Sequence, residues 1–150
     1  MKHRALAVLF TLAASGAGAA TYRVDDTGSV PAESTARLKW RELVPGRRPD
    51  STLEGAVGVA VRLNLSPWVN RTGRLFLVLP EQPIGVVRAK WTTQGRLLPG
   101  QLVSGQRALI YTGPISMPFL EETLALQIEA DGDRLPNSHR LKFHFEIDVD

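Results

Sequence analysis

The run Arg140-Leu141-Lys142-Phe143-His144-Phe145-Glu146-Ile147-Asp148-Val149-Asp150 decides the fold class. Leu141, Phe143, Phe145, Ile147 and Val149 alternate with Arg140, Lys142, His144, Glu146, Asp148 and Asp150. Successive side chains of an extended chain point to opposite faces, so this period of two predicts a strand with one face on a core and one toward water. It also predicts that truncating the C-terminal strand unfolds the domain.

The same period recurs upstream. In Leu53 to Leu65 the set Val57, Val59, Val61, Leu63 and Leu65 opposes Gly58, Ala60, Arg62 and Asn64. Val87, Ala89 and Trp91 oppose Val86, Arg88 and Lys90; Leu124, Leu126 and Ile128 oppose Ala125, Gln127 and Glu129. Leu38 and Trp40 alternate with Arg37, Lys39 and Arg41. Arg74 to Leu79 is apolar after its arginine and reads as a strand covered on both faces, and Arg107 to Thr112 is a short β-branched and aromatic run. Pro- and Gly-containing turns separate these runs, among them Pro45-Gly46, Ser66-Pro67, Pro99-Gly100 and Gly113-Pro114. Asp131-Gly132 reads as a hairpin signal. Ser116 to Thr123, near Glu121 and Glu122, is the one hint of a helical turn. The pattern predicts an all-β, antiparallel, immunoglobulin-like sandwich of about seven strands over residues 36–150, with a small β-barrel as the alternative.

The first nineteen residues read as an export signal. Lys2, His3 and Arg4 precede an apolar run from Ala5 to Ala14, and Ala17 and Ala19 stand in the arrangement that a signal peptidase cleaves. The run is too short to span a bilayer, which takes about 20 apolar residues. The expected location is periplasmic or extracellular. Export also changes the charge argument. The chain of 150 residues carries a formal +3, but Lys2 and Arg4 belong to the signal and the remainder is close to neutral. The global charge therefore gives no reason to expect a nucleic-acid partner. Cysteine is absent, which excludes disulfides, thiolate metal sites and cysteine catalysis.

Residues 20–35 are polar and read as a flexible or extended N-terminal segment, with Tyr22, Val24 and Val30 as its sizeable apolar anchors.

Few residues offer chemistry. Past the signal the histidines are His139 and His144. His144 is flanked at two-residue spacing by Lys142 and Glu146, and no nucleophile motif supplies a serine for it to activate. His144, Glu146 and Asp148 share a face, but positions i to i+4 of a strand span about 13 Å, too far for one metal ion. Glu129, Asp131 and Asp133 lack the spacing of a calcium loop. No catalytic, metal or cofactor-binding set is predicted, and no enzymatic activity. Trp68, in the turn Ser66 to Asn70, is a candidate ligand contact, as an exposed ring would stack on a glycan. Arg37, Lys39, Arg41, Arg47 and Arg48 form the dense basic patch, suited to an acidic partner or to blocking edge pairing. Asn64-Leu65-Ser66 and Asn70-Arg71-Thr72 match the glycosylation sequon.

The export signal, the polar extension from Thr21 to Pro31 and the alternating strand Arg140 to Asp150 resemble subunits of chaperone–usher pili. The resemblance implies assembly by strand addition, with Tyr22, Val24 and Val30 as the side chains of an exchanging strand. The chain departs from those subunits in having no disulfide. Val149 also stands where they carry a penultimate tyrosine, and Asn137 where they carry a glycine. The function expected is a protein-interaction or surface-assembly module, self-assembling or bound to a protein partner. The alternative is a carbohydrate- or small-ligand-binding periplasmic module.

Overall fold

Thr52–Asn64 and Phe119–Asp131 pair antiparallel over thirteen residues without a slip, from Thr52 opposite Asp131 to Asn64 opposite Phe119. This ladder is the spine of the molecule. The structure, a computed structural model, describes residues 18–31, 39–40, 51–83, 85–134 and 141–150. In chain order the strands are β1 (Ala20–Arg23), β2 (Val30–Pro31), β3 (Lys39–Trp40), β4 (Thr52–Asn64), β5 (Thr72–Leu79), β6 (Val87–Thr93), β7 (Gly100–Val103), β8 (Gln106–Pro114), β9 (Phe119–Asp131) and β10 (His144–Val149). They form two antiparallel sheets packed face to face, one in the order β1-β10-β5-β8 and the other in the order β2-β4-β9-β6-β7, with β3 also on β4. The expected β-sandwich is therefore the fold, with ten strands among the described residues in place of about seven.

The inner faces follow the period of two. Leu75, Leu77 and Leu79 of β5 and Phe145, Ile147 and Val149 of β10 meet Leu124, Leu126 and Ile128 of β9 and Val87, Ala89 and Trp91 of β6. Trp91 is the largest fully buried side chain, and its indole N–H donates to the Leu98 carbonyl at 3.0 Å. The buried polar atom is thereby satisfied while the ring fills the core. On β4, Val61 and Leu63 are buried, and Val57 and Val59 are partly buried against the same core.

Four sequence expectations change. Residues 116–123 contain no helical turn: β9 begins at Phe119 and runs through Glu121, Glu122 and Thr123. Asp131-Gly132 does not form a hairpin. A 3-10 turn, Gly132–Arg134, follows β9, and β10 lies in the other sheet. The strand β5 is not covered on both faces by a second layer. Its inner residues are buried, whereas Phe76 and Val78 on the outer face are half-exposed and Phe76 lies beneath the Arg107 guanidinium. Gly100, read as part of the turn Pro99-Gly100, instead opens β7, the edge strand paired with β6.

The signal segment through residue 17 lies outside the described residues. Among those described, no helix is long and apolar enough to cross a membrane.

Candidate functional site

The N-terminal segment is woven into both sheets. β1 pairs with β10 in the register Ala20–Val149, Thr21–Asp148, Tyr22–Ile147 and Arg23–Glu146, and so forms one edge of the four-stranded sheet. All four of its residues are exposed. The next residue differs: Val24 is 1% exposed, and its N–H donates to the Phe145 carbonyl at 2.9 Å. Asp25 then bridges to Asn64 of β4, whose N–H donates to the Asp25 carbonyl at 2.9 Å. Val30 and Pro31 continue along β4 opposite Ala60 and Val59. The chain therefore crosses from one sheet to the other at Val24, which drops its side chain between them.

Tyr22, on the inner phase of β1, overhangs the end of the sandwich, where its ring centroid lies 5.9 Å from that of Trp68. Trp68 sits in the 3-10 turn Ser66–Trp68 and is only 9% exposed. A stacked glycan would need that ring uncovered.

On the outer face, a chain of polar contacts ties β1 to three further strands. The Thr21 hydroxyl donates to Asp148 Oδ1 at 2.6 Å. Arg107 of β8 reaches over β5 to the same carboxylate, its two terminal nitrogens donating to Oδ1 and Oδ2 at 3.1 Å each. On the way its guanidinium lies 4.0 Å from the Phe76 ring centroid. That planar fork fits the carboxylate and the ring face together, which a lysine ammonium cannot do. Arg107 also approaches Glu146 Oε2 at 3.5 Å, and Glu146 Oε1 is 3.2 Å from His144 Nε2. Asp148 is 7% exposed. The hydrogen bonds from Arg107, then that from Thr21, and the positive charges of Arg107 and Arg74 hold its carboxyl below the ordinary value, against the opposite pull of burial. The Arg107 guanidinium is correspondingly raised, first by its hydrogen bonds to Asp148 and then by the charges of Asp148 and Glu146.

These contacts place the sequence-level candidates. His144, Glu146 and Asp148 do share one face, but two of the three face Arg107, and His144 finds Glu146 as its partner. Among the described residues no group of three histidine or acidic side chains is arranged to hold a metal ion. Lys39 lies opposite Glu54 in the backbone register of β3 with β4, while Arg37, Arg41, Arg47 and Arg48 lie outside the described residues. His139 also lies outside them. A shallow recess of about 420 Å³ opens on the second sheet, walled by Ala56, Gly58, Thr92 and Ala125 and flanked by Lys90 and Gln127; Trp68 is not among its walls.

Two features escaped the sequence reading. One is the Thr21–Asp148–Arg107 contact, whose members come from three distant segments. The other is Glu122, which occupies an inward position of β9 between Leu120 and Leu124. Its carboxylate accepts the N–H groups of Gly95, Arg96 and Leu97 at 2.8, 3.0 and 3.0 Å, closing the loop between β6 and β7. An acidic residue interrupting an apolar alternation is the signal that could have revealed it.

No protein-family model, curated protein or solved structure matches this chain.

Proposed function

We propose that this chain is an exported, non-enzymatic β-sandwich module that acts by protein–protein interaction or surface assembly, in the manner of a fimbria-like subunit, with its N-terminal strand as the exchanging element. The observation that carries the reading is the form of β1. It is a four-residue edge strand with exposed side chains, and the residue that follows it, Val24, is buried in the core. Such a strand is separable: it adds to a sheet edge by main-chain hydrogen bonds and is located by one inserted side chain. Its slot is a property of β10 and fits an identical strand from another copy equally well. The acidic groups beside it are taken up by Arg107 and Thr21, which favours a structural role for them over acid–base chemistry.

The test is oligomeric state. The full chain is annealed at high concentration under mildly destabilising conditions, then followed by size-exclusion chromatography with light scattering. Dimers or longer species that persist on dilution are expected, as returning to the monomer requires β1 to leave its slot again. A chain that stays monomeric after every annealing step refutes the reading.

The second reading, a carbohydrate- or small-ligand-binding module, draws its support from the recess beside Lys90 and Gln127. Titration with a glycan panel against the Lys90→Ala variant tests it, and binding that this variant leaves unchanged sinks it.

A further inference from the structure

The edge of β10 carries more information than an unspecific sheet edge. Main-chain pairing alone would accept any extended segment in several registers. Here four successive residues, the last three of β1 and Val24 after it, each meet a distinct feature. The Thr21 hydroxyl reaches a carboxylate that is 7% exposed and already oriented by two Arg107 hydrogen bonds. The Tyr22 ring caps Trp68, Arg23 stands directly opposite Glu146, and Val24 fills the space between the sheets. A strand displaced by one residue would bring an aromatic ring to Asp148 and a charge to the core.

We infer that the β10 edge is a selective receptor for a strand of the pattern hydroxyl–aromatic–cation–aliphatic, and that its partner in assembly is the Thr21–Val24 segment of a second copy of this chain. The inference rests on the assembly reading above and adds the selectivity. Asp148 reads the hydroxyl, Glu146 reads the cation and the Val24 cavity sets the register. Arg107 is the positioning residue that keeps the Asp148 carboxylate ionised and aimed at the incoming strand.

Complementation between damaged copies tests it. One copy carries Asp148→Val, an intact strand with a damaged slot; the other carries Thr21→Val, a damaged strand with an intact slot. Exchange between them restores one Thr21–Asp148 contact that neither has alone. A charge-assisted hydrogen bond of this kind makes the mixed dimer about tenfold more abundant than random pairing of the two copies. The chain has no cysteine, so Ala20→Cys on the first copy and Val149→Cys on the second, opposed residues in the register, trap the mixed species by oxidation. A second pair, Arg23→Glu and Glu146→Lys, turns like charges in each copy into opposite charges in the exchanged dimer and serves if Asp148→Val does not fold. Mixed dimers enriched in either pair, over the wild-type mixture, support the inference. Dimers that form in random proportions in both pairs overturn the selectivity and leave strand exchange standing. Folded copies, wild type included, that form no dimer overturn both.

Discussion

Replacing Glu122 by leucine sets two rules against each other. By hydrophobic patterning the change completes the inward face of β9, where Leu120 and Leu124 are buried on either side. A half-buried leucine there gains about 1 kcal/mol. By hydrogen-bond accounting the change removes the acceptor of three consecutive N–H groups. The N–H groups of Gly95 and Arg96 lie at the exposed end of the loop and are rehydrated, so each contributes about 0.5 kcal/mol. The Leu97 N–H is different, since Leu97 itself is 2% exposed. Losing its charged acceptor costs about 1.5–3 kcal/mol. The loop would also lose the anchor that holds it over Trp91. The balance is a net destabilisation of about 1–3 kcal/mol, and urea unfolding should move its midpoint down by about 1 M with the slope unchanged. Glu122→Gln, keeping one acceptor oxygen, should fall between leucine and wild type. A Glu122→Leu chain at least as stable as wild type would show that the carboxylate is incidental and the reasoning wrong.

Gly95→Ala attacks the same contact from the other side. A Cβ at Gly95 would lie 2.6 Å from Glu122 Cδ, and the carboxylate cannot withdraw without releasing the loop, so differential scanning calorimetry should show a loss of about 1–3 kcal/mol. Val24→Ala should cost about 2–3 kcal/mol, and hydrogen exchange should rise first at the β1–β10 amides; uniform protection would refute the view of β1 as a separable unit. The Asp148 carboxyl titrates below its unfolded value, so its stabilising contribution is complete above the ordinary carboxylate range and is lost as pH falls through the lowered folded value. Asp148→Asn should therefore be less stable at pH 7 by about 1–3 kcal/mol, and the gap should narrow below about pH 4 in denaturant titrations. A gap that stays constant with pH would remove the ionised carboxylate from the argument.

The fold was legible wherever one face of a strand packs and the other meets water. β10, β4 and the later part of β9 announce themselves in that way, as alternation is the direct imprint of a two-sided environment. Glu122 hid the start of β9, because a polar residue at an inward position breaks the pattern unless its three N–H partners are known. Phe76 and Val78 misled in the opposite sense: both are only partly buried on the outer face, where Phe76 lies under the Arg107 guanidinium rather than beneath another layer. Asp131-Gly132 has turn composition without hairpin geometry, and composition cannot say which sheet the chain enters next. In the candidate site, Tyr22 and Val24 stood out as apolar residues in a polar stretch. Thr21 and Asp148, 127 residues apart, could not be paired from sequence. Trp68 looked available because it lies in a turn, and the ring that shields it belongs to that same N-terminal stretch.

The position of β10 has a consequence for the order in which the molecule can be completed. It is made after every other described strand, yet it lies inside its sheet, between β1 and β5. Until residues 144–149 are available, β1 has no neighbour to pair with, and the Val24 side chain has no Phe145 beside it. A chain emerging from its N-terminus therefore carries β1 unpaired until residues 144–149 have followed it. Closure joins contacts of the greatest sequence separation in the fold, the kind that form slowly. During that interval β1 is at the disposal of any neighbour whose own β10 has already formed.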